Sequence, residues 1–374
     1  MLKIKPKLRF PEFDGEWEEK QLSAILEIGT GKSKVQSNES GKYNILGSTG
    51  IIGKSHTYDY EGDFILTARV GHYAGKLYKH AGKVNISDNT IYLFNFINKN
   101  FIYESLNAFK LEKLVFGSGQ PLIKASDLKK LKIRVPVSKE QKKIGGFFSK
   151  LDHQIELEEQ KLKKLEEQKK GYMQKIFSQE LRFKDEKGNY YPEWESRYLN
   201  ELCLINPKVD QVPNSFLYID LESVNNGKIE KIKEVNKINA PSRAQRLAKK
   251  YDVFYQTVRP YQKNNFINLS NRNDIVVSTG YAQLRPSVQF YYLYSLLLTN
   301  SFMNKVLVKC TGTNYPAINS TDLSLIQILS SSVFEEQEKI GNFFSKLDEL
   351  INKQNQKIDG LKKRKRGFLQ KMFI

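Results

Sequence analysis

Two short stretches carry the side chains best suited to chemistry. TARVGHYAGK sets Arg69, His72, Tyr73 and Lys76 among glycines, and TVRPYQKNN sets Arg259, Tyr261, Gln262, Lys263 and Asn264 in the matching place of the second half. Further on, GSGQ supplies Ser118 and Gln120, with Lys124 just beyond, and TGTNY answers with Thr313, Asn314 and Tyr315. Arg, Gln and Asn can make paired hydrogen bonds to guanine or adenine edges, whereas Lys, Ser, Thr and loop amides suit phosphates. Stretches that match in placement but differ in chemistry suit the reading of two different half-sites. Any one of these residues alone is equally an ordinary polar turn; the argument rests on the set.

Motifs for catalysis are weak by comparison. GTGKS, Gly29 to Ser33, ends like a phosphate-binding loop, but Leu26 occupies the place of the first glycine and Lys34, Val35 and Gln36 continue into a polar loop. Asn206-Pro207-Lys208 lacks the aromatic residue of a base-amino methyltransferase motif, and Glu61 and Asp63 are not followed by a nuclease-type E-x-K. His56, His72, His80 and His153 have no metal-ligand spacing, and Cys203 and Cys310 form no C-x-x-C pair. The sequence predicts no catalytic residues, no metal site and no cofactor of its own.

The rest of the chain fits a reader of polyanions. Its 374 residues suffice for two domains, and 60 basic against 41 acidic residues leave a net charge of +19. No apolar stretch approaches the ~20 residues of a membrane span, and MLKIKPKLRFPEFDG lacks the apolar core of a signal peptide. With two unpaired cysteines, the expected location is the cytoplasm.

What must position the loops is visible as a repeat. EQKKIGGFFSKLD is echoed by EQEKIGNFFSKLD, GYMQKIF (Gly171 to Phe177) by GFLQKMF (Gly367 to Phe373), and QPLIKASDL by YPAINSTDL. GDFILTAR, ending at Arg69, resembles YDVFYQTVR, ending at Arg259; both halves open on Leu-Arg-Phe followed by Trp-Glu, at Trp17 and Trp194. Apolar residues alternate at intervals of four and three: Ile144, Phe148, Leu151, Ile155, Leu162, Leu165, Tyr172 and Ile176, then Ile340, Phe344, Leu347, Ile351, Ile358, Leu361, Phe368 and Met372. Glu158 and Lys169 interrupt the first series. This heptad pattern predicts two long helices that pair as a coiled coil, antiparallel in a pseudo-twofold tandem duplication. Packing of each helix on its own domain, or pairing between chains, are the other ways to cover the seam.

Between the helices, short β-branched and aromatic runs alternate with turn signals, for example Asp63–Thr67, Thr90–Phe94 and Phe254–Val258, followed by helical runs. The expected class is α+β. The parts are a first variable domain (1–135), a helical region (136–178), a second variable domain (179–329) and a second helical region (330–374).

This layout resembles the specificity subunits of type I restriction–modification systems over nearly the whole chain. The resemblance is carried by the duplicated LRF…WE starts, the GSGQPLI and TGTNYPAI loops, and VPVSKEQKKIGGFFSKLD with its echo FEEQEKIGNFFSKLD. One departure is Pro136, which has no counterpart in SSSVFEEQ. The resemblance implies a non-catalytic reader of double-stranded DNA, with two target-recognition domains for a split target and antiparallel helices that set the gap. It also implies two modification subunits that bind S-adenosylmethionine and methylate adenine, and motor–nuclease subunits that join through them with ATP and Mg. Two other classes compete: an RNA or single-strand binder that stacks bases on Tyr73, Tyr261 and Tyr315, or a cryptic nuclease or methyltransferase. A pure scaffold would have no sequence preference.

Overall fold

A computed structural model of the protein describes residues 5–117, 120–208 and 211–373; Ser118 lies outside them. The chain forms two compact units: one runs up to Gln160 and resumes at Gln356, and the other is Lys161–Asn355. Each long helix therefore contributes to both units.

In the first unit, β1 (Glu18–Gln21) leads to β2 (Glu27–Thr30), β3 (Tyr43–Gly47), β4 (Gly50–Ser55), β5 (Tyr60–Ala68), β6 (Leu77–Ile86) and β7 (Thr90–Phe94). Then come α1 (Lys99–Phe109), α2 (Ala125–Lys130), β8 (Lys132–Val135) and the long α3 (Ser138–Phe177). The main sheet has the order β2-β7-β5-β6-β3-β4, antiparallel except for β3 beside β6. A separate ribbon pairs β1 with β8. Phe64–Ala68 of β5 is buried on both faces, which suits its β-branched and aromatic run.

The second unit contains β9 (Glu195–Tyr198), α4 (Leu199–Leu202), β10 (Cys203–Ile205), β11 (Ser215–Ile219), β12 (Val224–Asn225), β13 (Lys228–Ile229) and β14 (Lys233–Asn236). It continues with β15 (Ala244–Leu247), β16 (Val253–Gln256), β17 (Phe266–Ile267), β18 (Ile275–Ser278) and β19 (Tyr281–Pro286). Helices α5 (Phe290–Leu297), α6 (Asn300–Lys309) and α7 (Ser320–Ser324), strand β20 (Gln327–Ser330) and the long α8 (Phe334–Met372) follow. One sheet has the order β10-β19-β16-β17, a second β14-β11-β18-β15 and a two-stranded ribbon pairs β12 with β13, while β20 pairs with β9 as β8 does with β1. The antiparallel trio β10-β19-β16 repeats β2-β7-β5; beyond it, the main sheets of the two units follow different strand orders.

In each unit, the FFSKLD phrase anchors the helix pair. Phe147 meets Phe10 edge-on with ring centres 6.1 Å apart, and the buried Phe148 lies 5.8 Å from Phe373. In the second unit Phe343 meets Phe183 at 5.9 Å, and the buried Phe344 stacks on Phe177 at 6.0 Å. The ammonium of Lys365 lies 2.7 Å from Asp152, and that of Lys169 lies 2.5 Å from Asp348, so the apparent interruption at Lys169 is one half of a repeated ion pair. Glu158 likewise meets Lys357 at 2.5 Å. These partners run in opposite directions along α3 and α8, so the helices are antiparallel within each unit. Leu151, Ile155, Ile358 and Leu361 are buried in the first unit and Ile351 in the second, where Leu162, Leu165 and Leu347 are half-buried. Full burial of a Phe or Ile side chain contributes about 1.5–3 kcal/mol, so a handful of such positions fixes the register.

A further repeated contact joins the short helices to the long ones. Asn98 caps α1 by accepting the Phe101 N–H at 2.8 Å, and Gln289 caps α5 by accepting that of Tyr292 at 2.6 Å. Gly145 and Gly341 receive these caps: an added Cβ would sit 2.6 Å from Asn98 Oδ1 and 2.1 Å from Gln289 Oε1. Despite the missing proline, α3 and α8 begin at matching places, Ser138 and Phe334. Gln141 donates to the Pro136 carbonyl at 2.9 Å; Gln337 donates to that of Ser331 at 2.8 Å, and the Ser331 hydroxyl accepts the Val333 N–H at 3.1 Å. A serine turn thus does at one start what the fixed backbone of proline does at the other.

Candidate nucleic-acid interface

The two glycine-rich stretches of the first unit form one composite loop. As the chain leaves β5, Gly71 N–H donates to the Pro121 carbonyl at 2.8 Å and Ile123 N–H donates to that of Arg69 at 2.9 Å. The second stretch closes on itself, because Phe116 and Leu122 exchange backbone hydrogen bonds of 3.0 and 2.9 Å. Gly71 and Gly75 have φ of +84° and +83°, and at Gly75 an added Cβ would also press on the Glu112 backbone nitrogen at 2.8 Å.

The second unit repeats this framework. Arg259 N–H donates to the Pro316 carbonyl at 2.8 Å, Ile318 N–H donates to that of Thr257 at 3.0 Å, and Thr311 and Ala317 exchange two bonds of 2.9 Å. Arg259 and Lys263 have φ of +52° and +53°. Hydrogen bonds and positive φ values together set the correspondence: Gly71 with Arg259, Tyr73 with Tyr261, Gly75 with Lys263, and Gln120 with Tyr315. The sequence match of Arg69 with Arg259 is therefore two residues out of register, and Thr257 is the residue that corresponds to Arg69. Apolar strand residues allowed either alignment; the backbone geometry of the turn decides it.

Most of the expected residues lie on the surface of these loops. Arg69, His72, Lys76, Gln120, Lys124, Gln262, Thr313 and Asn314 are exposed, and Tyr73, Tyr261 and Tyr315 are 48%, 50% and 62% exposed. The Lys76 ammonium lies 4.8 Å over the Tyr73 ring, with the His72 ring 5.4 Å away, and the Arg259 guanidinium lies 4.2 Å over Tyr315. Two residues are turned to other partners. Lys263 donates to the Leu298 carbonyl at 2.8 Å and Asn300 Oδ1 at 2.9 Å, and burial, with Lys170 nearby, pulls its ammonium below the usual lysine range. Gln262 accepts the Gln256 side-chain amide at 2.8 Å.

Sequence reasoning missed Phe116, which is 45% exposed beneath the Lys124 ammonium at 4.8 Å. An aromatic residue directly before the loop glycine was the available signal. Among the described residues, no cluster of three or more His, Cys, Asp or Glu could hold a metal ion, and no helix is long and apolar enough to cross a membrane. What this surface offers is cations, aromatic faces and amides on hydrogen-bonded turns, a set suited to binding nucleic acid.

The comparisons agree with this architecture. The family model described as "Type I restriction modification DNA specificity domain" matches twice, over residues 14–167 and 191–363. The chain belongs to this family and is a type I restriction–modification specificity subunit in kind. It is 20% identical to the type I restriction enzyme EcoDI specificity subunit of Escherichia coli, over 96% of this chain and 88% of that one. The EcoprrI specificity subunit of the same organism is 26% identical over 39% of this chain and 38% of its own length. In fold, the chain is similar to the type I restriction–modification S subunit from M. genitalium, with a TM-score of 0.66, 17% identity and 99% of each chain covered. It is also similar, at a TM-score of 0.53 and 16% identity over 96% of this chain and 97% of the other, to a chain from a structure concerned with complex assembly and conformational transition of the type I R-M system.

Proposed function

We propose that this protein is the non-catalytic DNA reader of a type I restriction–modification complex. Each unit reads one half of a split double-stranded target through its composite loop. The observation that carries this reading is the repeated loop framework, with one backbone geometry and two sets of side chains. Equal frameworks place two reading heads alike, and unequal side chains give them different texts. The long helices serve as spacer and as docking sites for modification subunits, which supply S-adenosylmethionine-dependent adenine methylation. Motor–nuclease subunits, with ATP and Mg, join through them, and the whole complex works in the cytoplasm. The net charge of +19 favours approach to duplex phosphates.

The test is a map of methylated adenines in cells that carry this chain and its modification subunit, before and after exchange of residues 69–124 for those of a relative. The expected result is a split motif in which one half changes and the other stays. An unchanged motif, or preference for single strands in competition binding, overturns the proposal.

A further inference from the structure

The second unit's loop holds two non-glycine residues, Arg259 and Lys263, in the left-handed region where the first unit has Gly71 and Gly75. Such a conformation is disfavoured for residues with a Cβ, and a chain keeps it where the side chain so presented is of use. Lys263 has an evident use within the fold, since its ammonium ties the loop to Leu298 and Asn300. Arg259 has no such tie: its guanidinium makes no ion pair with the described residues and lies 4.2 Å over the ring of Tyr315, itself 62% exposed. The two residues are fastened to each other through the backbone, by the 2.8 Å bond from Arg259 N–H to the carbonyl of Pro316, which follows Tyr315.

From this we infer that Arg259 and Tyr315 act as one base-reading element, the tyrosine ring holding the guanidinium so that its donor edge meets a guanine in the major groove. Stacking fixes the plane of the guanidinium and leaves its N–H groups free, and a planar pair of donors matches the O6 and N7 acceptors of guanine. The corresponding positions of the first unit, Gly71 and Gln120, cannot form this pair, so the guanine belongs to the second half-target alone. Tyr73 and Tyr261, alike in type and exposure, are the contacts common to both halves and carry no difference between them. The inference rests on the DNA-reading function proposed above.

The test uses the full chain with its modification subunit and selects from a randomised duplex DNA library. Wild type is expected to yield a split motif, with a guanine in the half assigned to the second unit by exchange of residues 253–317. Arg259→Ala should lower the preference for that guanine by on the order of tenfold or more and leave the first half unchanged, which also reports that the protein is folded. Arg259→Lys, which keeps the charge but loses the paired donors, should behave likewise. Tyr315→Leu should weaken the same preference, and Tyr315→Phe should restore it. Uniformly weaker binding at all sequences with a shallower salt dependence would make Arg259 a phosphate contact and overturn the inference while sparing the reader function. An unaltered motif in Arg259→Ala would also overturn it alone; a wild-type library without any motif would overturn both.

Discussion

Glu104 is a carboxylate with 1% exposure, and its nearest cation is the ammonium of Lys365 at 3.0 Å, which Asp152 shares at 2.7 Å. Burial pushes the Glu104 carboxyl above the usual carboxylate range; burial also opposes the charge of Lys365, but Glu104 and Asp152 together outweigh it and hold the ammonium charged to higher pH. Removal of one partner from a buried ion pair costs about 3–5 kcal/mol, because the other charge is left without compensation. Lys365→Met should therefore lower the urea midpoint markedly, and Glu104→Gln added to it should recover most of the loss. The pH dependence has a definite sign. A carboxyl whose pKa is raised by folding favours the folded state when protonated, and that contribution is lost as pH rises through the folded value. The deficit of Lys365→Met should thus be larger at pH 8 than at pH 5. Tyr73 and Tyr261 permit a second prediction at this scale: each exchanged for alanine should weaken duplex binding several-fold without altering the sequence motif, as measured by library selection.

Helix glycines separate two kinds of position. Gly145 and Gly341 lie under the caps of α1 and α5, so an alanine at either collides with the capping side chain, and at Gly145 the Phe101 backbone nitrogen is only 2.9 Å from the added Cβ. Gly360 has nothing within 4 Å of an added Cβ. Alanine at Gly145 or Gly341 should destabilise by about 1–3 kcal/mol. Alanine at Gly360 should stabilise by about 0.5–1 kcal/mol, since glycine is the poorer helix former. Thermal unfolding of the three variants distinguishes the two outcomes. At this scale much was legible in the sequence: the heptad spacing located both helices, and Phe148 and Phe344 are buried where it put them. Lys169 looked like a break in the seam because spacing alone does not reveal that Asp348 meets it. The loop register was not legible, because Arg69 and Arg259 invite alignment by type, whereas the two loops agree in backbone sign at Gly71 and Arg259. Nothing in the sequence marks an arginine as left-handed.

For the whole molecule, the duplication and the charge balance were both readable from composition and repeats, but the sheets were not. β2-β7-β5 and β10-β19-β16 share their pairing, while the strands beyond them follow different orders in the two units. Strand pairing depends on contacts distant in sequence, and short apolar runs specify a partner weakly. The helices, of 40 and 39 residues, are about 60 Å long at 1.5 Å per residue. If they set the gap in the target, insertion of one heptad into each should lengthen that gap and leave both half-motifs as they were, a result that methylation mapping would read directly.

The ends of the long helices hold one more consequence. In the second unit the Leu181 N–H donates to the Lys175 carbonyl at 3.0 Å, across a turn the chain makes covalently through Ser178–Glu180. In the first unit the Leu8 N–H donates to the Lys371 carbonyl at 2.9 Å, the same junction made without a covalent turn. The two junctions are thus hydrogen-bonded alike. A permuted gene that links Phe373 to Leu8 through three residues and opens the chain at Gln179 should yield the same fold and the same methylation pattern.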